Sequence, residues 1–360
     1  MMSKNINAKR ILSIDVTRGL IVALSAFLSH IPPGGYPLFR HAEWYGLTIL
    51  DFIFPTFLTV FGISMAVAYD RRIKWFKVVR RTILLLIFGL LFNMIVSWNF
   101  SLAEVRYTGV LQFYAVIGLI TALVMKLDRR WWITLLMALV LLTGYGWFIL
   151  SVSSSCPDGL PQPDCNPSRV IDQMLFGVHM YQGGERGYDP EGLVTLMGAI
   201  GNALIGVAIG RLLLANRKQG AVLPLLVFSL LLITCSLLVA QVLPYNKRMW
   251  LPSFTLVTAG TAALVLAIFH GLVDRLVIKG AVVRILEAFG RNSFFIYFGK
   301  YLLASAMIHT SISGESPRNL LLGFIESWSL YPHPTYAAVM FILWMIIAII
   351  MHWRSWYIRV

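Results

Sequence analysis

The chain is poor in charge, and poorest in acid. Only 13% of its 360 residues are charged, and only 16 are Asp or Glu. A water-soluble domain carries about 25% charged residues, so a soluble globular fold is excluded. Cysteine is scarce as well, at three residues, which excludes a disulfide-dense secreted scaffold. No GxGxxG or P-loop pattern occurs, so the two common backbone cradles for nucleotide phosphates are missing. The seven histidines are scattered, and no spacing among them suits a metal. A cleavable leader is not expected: residues 1–10 are polar, and no small-residue cleavage site follows the first apolar run. Long linkers, low-complexity tracts and fixed-period repeats are also lacking.

What the chain has is apolar length. It is 58% hydrophobic, and a membrane-spanning helix needs about 20 mostly apolar residues. Ten runs qualify, at 11–30, 46–69, 82–98, 107–127, 131–152, 193–214, 221–243, 251–274, 293–312 and 334–352. The expected fold is all-α, a polytopic membrane protein of about ten transmembrane helices forming a single transmembrane domain over 1–360. The ninth run is the weakest, because Lys300 and His309 interrupt it.

The net charge of +14 could suggest nucleic acid, but its placement argues against that partner. Alternate connections gather the cations, at 70–81, 126–130, 211–218 and 275–291, and so do the chain ends, with Lys4, Lys9, Arg10, Arg354 and Arg359. The connections between them hold Arg40, Arg106, Arg169, Arg186, Lys247, Arg248 and Arg318 and no other cation. The positive-inside rule then predicts cytoplasmic termini and an outer loop at 153–192. That loop contains Cys156 and Cys165, whose pairing is expected in an oxidising compartment. Cys235 sits alone in an apolar run and is expected in the core.

Polar residues inside or beside such runs are expensive to place and point to function. At the expected outer face these are His30, His41, Trp44, Asp51, Asp189, Glu191, Asn246, Lys247 and Trp250. His41 follows a stretch rich in Pro and Gly at 32–38, and Asp51 lies ten residues on, just inside the second run. A carboxylate there can hold one imidazole nitrogen and leave the other as a general base. The bland alternative is a histidine anchored in an aromatic belt. Asp189 and Glu191 either bind a protonated amine and sugar hydroxyls or complement a helix dipole. Asp15 and Arg18, three apart, share a helix face; they either neutralise each other or belong to an inner polar pocket. Lys300 is expected to face a cavity or a carboxylate. Gly198, Gly201, Gly206 and Gly210 read as a face for close helix packing.

Several ordered blocks carry a family resemblance. LSIDVTRGL, HAEWYGLTILDFIFPTFLTVFG, RYTGVLQ, CPDGLPQPDCNPSRVIDQMLFG, YDPEG, YNKRMW and GRNSFFIYFGKY resemble, in the same order, the transmembrane heparan-alpha-glucosaminide N-acetyltransferase family. The similarity covers about residues 10 to 310. It looks like a bacterial member without the large luminal N-terminal domain of the animal enzymes, and so a multi-pass protein of the bacterial inner membrane. The resemblance implies that cytoplasmic acetyl-CoA acetylates the amine of glucosamine or a terminal glucosaminide on the periplasmic side, without a metal, in a homodimer. It implies that His41 is the active histidine and Asp51 its partner. His30 stands where the animal enzyme has Asn, and Phe113 where it has a basic residue. On that reading Arg18, Arg80, Arg81, Arg284, Arg291 and Asn292 are candidates to hold the nucleotide. Trp44, Asp189, Glu191, Asn246, Lys247 and Trp250 are candidates for the acceptor. A proton-coupled amino-sugar transporter is the competing class, since intramembrane Asp, Lys and His suit it too. The broken-helix inverted repeat that would favour transport is not visible.

Overall fold

The computed structural model describes residues 10–31, 39–217, 219–312 and 314–358. The stretch 32–38 and Lys4, Lys9, Lys218 and Arg359 lie outside them. Among the described residues the fold is all helix, in chain order α1 (Leu12–Leu28), α2 (Ile49–Ala68), α3 (Trp75–Ser97), α4 (Val110–Leu127), α5 (Trp131–Val152), α6 (Pro167–Phe176), α7 (Leu193–Ala215), α8 (Val222–Val239), α9 (Pro252–Phe269), α10 (Ala281–Arg291), α11 (Ser293–His309), α12 (Pro317–Glu326) and α13 (Pro332–Trp353). All ten apolar runs are helical. Eight of these helices are long and apolar enough to cross a membrane, and the molecule is an all-α polytopic membrane protein. The other two, α1 and α11, have 17 residues each and carry Asp15, Arg18 and Lys300. The short amphipathic helices α6, α10 and α12 lie in the connections.

Local chemistry sets the ends. Gly109, at φ +143°, precedes α4, and Trp98, at φ +51°, closes α3. Pro begins α6, α9, α12 and α13, where its missing N–H is no loss. The second half of the basic segment 70–81, from Trp75 on, forms the first turns of α3.

The centre is α7, buried along nearly its whole length. It crosses α2 where Gly62 and Gly206 meet: a Cβ on Gly206 would lie 2.1 Å from the Thr59 carbonyl oxygen, and one on Gly62 would lie 2.1 Å from that of Ala203. The small-residue face therefore acts as the sequence suggests, letting two backbones touch. α5 and α9 pack on the other sides of α7, α8 lies on α9, and α3 on α4. α1 makes a second close crossing with α10, Gly19 against Gly290. The six-residue π-helical turn His270–Arg275 follows α9. From it Asp274 accepts the N–H groups of Leu12 (3.2 Å) and Ser13 (3.3 Å), the first turn of α1.

Two expectations change. Cys235 is exposed rather than in the core, because α8 turns its other face to α9. Lys300 is buried, but its ammonium meets no carboxylate. It donates to the Ser25 carbonyl (2.8 Å) and to the hydroxyls of Ser25 (2.6 Å) and Ser29 (2.7 Å). The Tyr301 and Tyr297 rings lie 4.4 and 5.0 Å from it. The partly negative C-terminal end of α1 and two aromatic faces take the place of a counter-ion. The expected disulfide between Cys156 and Cys165 is formed, with Cα atoms 5.7 Å apart.

Candidate active site

His41 is placed by the turn that enters α2. Asp51, at the third position of that helix, reaches back to the Thr48 N–H (3.0 Å) and hydroxyl (2.9 Å), the carboxylate half of a capping box. The same carboxylate accepts the Ala42 N–H (3.2 Å) and pairs through its other oxygen with His41 Nδ1 (2.7 Å). Asp51 is fully buried and the His41 side chain is 43% exposed. One residue thus caps the helix and holds the imidazole through Nδ1, so Nε2 is not engaged by the carboxylate.

A second loop completes the cluster. Gly46, at φ +116°, donates its N–H to the Tyr245 carbonyl (2.9 Å) and ties the two loops together. Asn246, completely buried, shapes the next turn by accepting the Met249 N–H (2.8 Å). That turn delivers Lys247, whose Nζ lies 3.0 Å from His41 Nδ1, 3.4 Å from Nε2 and 3.4 Å from Asp51 Oδ1. Burial holds the Lys247 ammonium below its usual pKa, while Asp51 and Glu191 pull it up. Burial likewise lowers the His41 imidazole; Lys247 and Arg248 add to that, and the bond to Asp51 opposes it.

Arg106 holds the neighbouring carboxylates, donating to Asp189 (2.6 Å) and Glu191 (2.7 Å). Asp189 is fully buried and also accepts the Thr108 hydroxyl (2.5 Å) and the N–H groups of Tyr181 (2.8 Å) and Glu191 (3.0 Å). Glu191 lies within electrostatic reach of Lys247 and of Tyr297 and Tyr301.

The sequence-derived candidates sort by position. His41, Asp51 and Lys247 meet, with Glu191 nearby. Trp44 is buried under the disulfide loop, its indole N–H on the Pro161 carbonyl (2.8 Å). Trp250 is a core residue bonded to Asn202 (2.6 Å) and ringed by Phe54, Phe113 and Phe254. His30 is buried, its Nδ1 on the Ala26 carbonyl (2.6 Å) and its Nε2 without a partner among the described residues; it forms no hydrogen bond to His41 or Asp51.

At the opposite end of the bundle a cavity of about 410 Å³ opens between α1, α2, α3, α4 and α11. Arg10, Arg18, Arg81 and Arg291 line it, with Tyr69, Tyr114, Tyr297 and several phenylalanines. Ile358 lines it as well, so both ends of the described chain meet there. Arg18 is steadied by Ser64 (2.6 Å) and Asp15 (3.5 Å), which joins the two readings of the Asp15–Arg18 pair. The Nε atoms of Arg81 and Arg291 are buried without hydrogen-bond partners among the described residues. Arg80 and Arg284 are exposed and outside the lining. Asn292 is buried at the junction of α10 and α11, bonded to Ala288. Arg10 belongs to the cavity and was not singled out by the sequence; nor was Asp172, which caps α7 by accepting the Leu193 N–H (2.7 Å). The N-cap and Pro pair Asn166–Pro167 is the sequence signal for α6, the helix that carries it.

Fold and site together define a helical multi-spanning membrane protein with an imidazole–carboxylate pair at one end and a cationic cavity at the other. A family model described as heparan-alpha-glucosaminide N-acetyltransferase, catalytic, matches residues 10–239, and the chain belongs to that family. The heparan-alpha-glucosaminide N-acetyltransferase of Homo sapiens is 27% identical over 81% of this chain and 52% of its own length. That of Mus musculus is 26% identical over 82% and 54%. The chain spans about half the length of the curated relatives it matches.

Proposed function

We propose that the protein is a transmembrane N-acetyltransferase that takes acetyl-CoA at the arginine-lined end and acetylates an amino sugar at the His41 end. The observation that carries this is the pairing of the two ends across one bundle. Four arginines share two acids there, Arg10 and Arg18 with Asp15 and Arg291 with Glu287, and Arg81 makes no ion pair among the described residues, so a net positive charge is left that suits phosphates. The aromatic walls suit an apolar, extended arm. The lining residue Phe57 lies six residues along α2 from Asp51, about 9 Å of rise, so one helix carries both the cavity wall and the carboxylate.

In this reading the arginine-lined end is cytoplasmic, as the distribution of Lys and Arg requires, and the protein works as a homodimer in the bacterial inner membrane. The acceptor is glucosamine or a terminal glucosaminide in the periplasm, by analogy with the relatives' names. Asp51 fixes the His41 tautomer, and Nε2 takes the proton of the attacking amine. Burial and Lys247 keep the imidazole neutral, as a base must be. Aromatic packing around the thioester limits hydrolysis by water.

Purified protein given acetyl-CoA and a panel of amino sugars should release CoA and N-acetylated product, read by mass spectrometry. His41→Ala should lower the rate by about 10²–10⁴-fold while acetyl-CoA binding survives. Failure of every amine to consume acetyl-CoA, with saturable sugar uptake into proteoliposomes, would overturn the reading in favour of transport.

A further inference from the structure

Lys247 stands where a reacting carbonyl would need a donor. The His41 Nδ1 proton is committed to Asp51 at 2.7 Å, so the lone pair of the neutral ring is on Nε2. Lys247 Nζ flanks that ring, 3.4 Å from Nε2 and 3.4 Å from Asp51 Oδ1. Its approach of 3.0 Å to Nδ1 is therefore packing beside the ring. At 3.0 Å from Nδ1 and 3.4 Å from Nε2 the ammonium lies against the face of the ring, off the in-plane Nε2 lone pair; of its three N–H bonds one faces Asp51 and the others are left for a substrate oxygen. The ammonium is a poor partner for an incoming protonated amine, since like charges repel. A carbonyl oxygen acquiring negative charge is the partner it fits.

We propose that Lys247 is a catalytic residue that donates a hydrogen bond to the thioester oxygen as the acetyl group is transferred. This rests on the acetyl-transfer reading above. In the step, the amine nitrogen forms a bond to the thioester carbon and the C=O π pair moves onto oxygen. Lys247 N–H holds that oxyanion while His41 Nε2 accepts the amine proton. The oxyanion collapses, C=O re-forms and the C–S bond breaks. The thiolate leaves with the proton returned by the imidazolium, so the enzyme ends as it began. Asp51 serves as the shared anchor, holding the ring on one side and the ammonium on the other.

The structure also explains why a lysine on a separate loop can be this well placed. The Gly46–Tyr245 backbone bond and the buried Asn246 fix the turn from both sides, and the Lys247 side chain is only 20% exposed. Preorganised donors of this kind are worth about 10²–10³-fold in turnover.

The test compares wild type with Lys247→Met and Lys247→Arg in detergent, using acetyl-CoA and glucosamine. Lys247→Met should lower kcat by about 10²–10³-fold with the KM for acetyl-CoA little changed, and Lys247→Arg should restore part of the loss. A second readout needs no turnover. Diethyl pyrocarbonate modifies neutral imidazole, and its rate at His41, followed by peptide mass spectrometry against pH, reports that ring's titration. The charged groups facing His41 are Asp51, Lys247 and Arg248; those facing Lys247 are Asp51, Glu191, Arg248 and His41. Removing the Lys247 cation should move the His41 midpoint to higher pH in Lys247→Met and leave it in place in Lys247→Arg. A wild-type kcat in Lys247→Met, or a loss cured by saturating amine, would overturn the proposal. A wild type inert toward acetyl-CoA would instead sink the underlying acetyl-transfer reading, which the active-variant result would leave standing.

Discussion

Asp51→Asn tests the double duty of that carboxylate. In the native site Asp51 accepts from Thr48 N–H and hydroxyl, Ala42 N–H and His41 Nδ1, at 2.7 to 3.2 Å. Asn has one acceptor oxygen and two N–H donors. If the oxygen stays with Thr48 and Ala42, the amide NH₂ faces His41 Nδ1, which must then accept. The ring proton moves to Nε2 and the base is lost, as when an orienting Asp is replaced in a catalytic triad. If the amide turns the other way, its NH₂ faces the Thr48 hydroxyl, which can turn to accept, and the Thr48 and Ala42 N–H groups, which lose their acceptor at about 1–3 kcal/mol. The helix cap makes the first orientation the cheaper one, so folding should survive with a loss of about 1–2 kcal/mol, the usual range for a damaged cap. Turnover should fall about 10²–10⁴-fold, close to the fall in His41→Ala. Acetyl-CoA turnover with glucosamine measures the first quantity and thermal unfolding in detergent the second. An Asp51→Asn protein that turns over near the wild-type rate would refute the tautomer argument. One that fails to fold would show that the carboxylate is mainly a cap.

Three further outcomes follow from the packing and the cavity. Gly206→Leu should abolish the α2–α7 contact, since even its Cβ would sit 2.1 Å from the Thr59 carbonyl; a folded, monodisperse protein on size-exclusion chromatography would contradict this. Arg81→Ala and Arg291→Ala should raise the KM for acetyl-CoA, whereas Arg80→Ala and Arg284→Ala, off the cavity, should leave it within about twofold; equal effects from all four would mean that diffuse charge alone attracts the nucleotide. Alkylation of the denatured, unreduced protein should label Cys235 only, and removing the Cys156–Cys165 bond should destabilise the 153–192 loop by about 3 kcal/mol; unchanged thermal unfolding in Cys156→Ser/Cys165→Ser would show the loop is held by Trp44 and Tyr45 on Pro161 instead.

Apolar length made the ten apolar runs legible as helices, eight of them long and apolar enough to cross a membrane, because a helix in lipid must be long and must satisfy its own backbone. Helix ends were less so. The second run seemed to begin at Gly46, but the helix starts at Ile49, after Thr48 and Gly46 have turned the chain. His41 and Asp51 could be paired from ten residues of sequence. Lys247 could be named as a site residue but not set beside His41, since that contact joins positions 206 apart and depends on two loops meeting. Trp44, Trp250 and Asp189 read as site residues because they are polar or aromatic near the outer face. Their roles in holding Pro161, Asn202 and Arg106 are tertiary facts that no spacing encodes. The arginines were likewise indistinguishable in sequence; only packing separates Arg81, turned into the cavity, from Arg80, turned out.

The tie between Asp274 and the first turn of α1 bears on how the protein is made. The carboxylate that receives the Leu12 and Ser13 N–H groups is some 260 residues downstream of them. Gly290, on which Gly19 rests, is later still. During synthesis at about 5–20 residues per second, α1 has α2 beside it early, with Ser64 for Arg18, but the α10 and Asp274 contacts come only after some 260 further residues. The family match ends at residue 239, short of both partners. A nascent chain arrested at that point should therefore hold α1 loosely, open to crosslinking by a photoprobe at Gly19, and become shielded only once α10 has emerged.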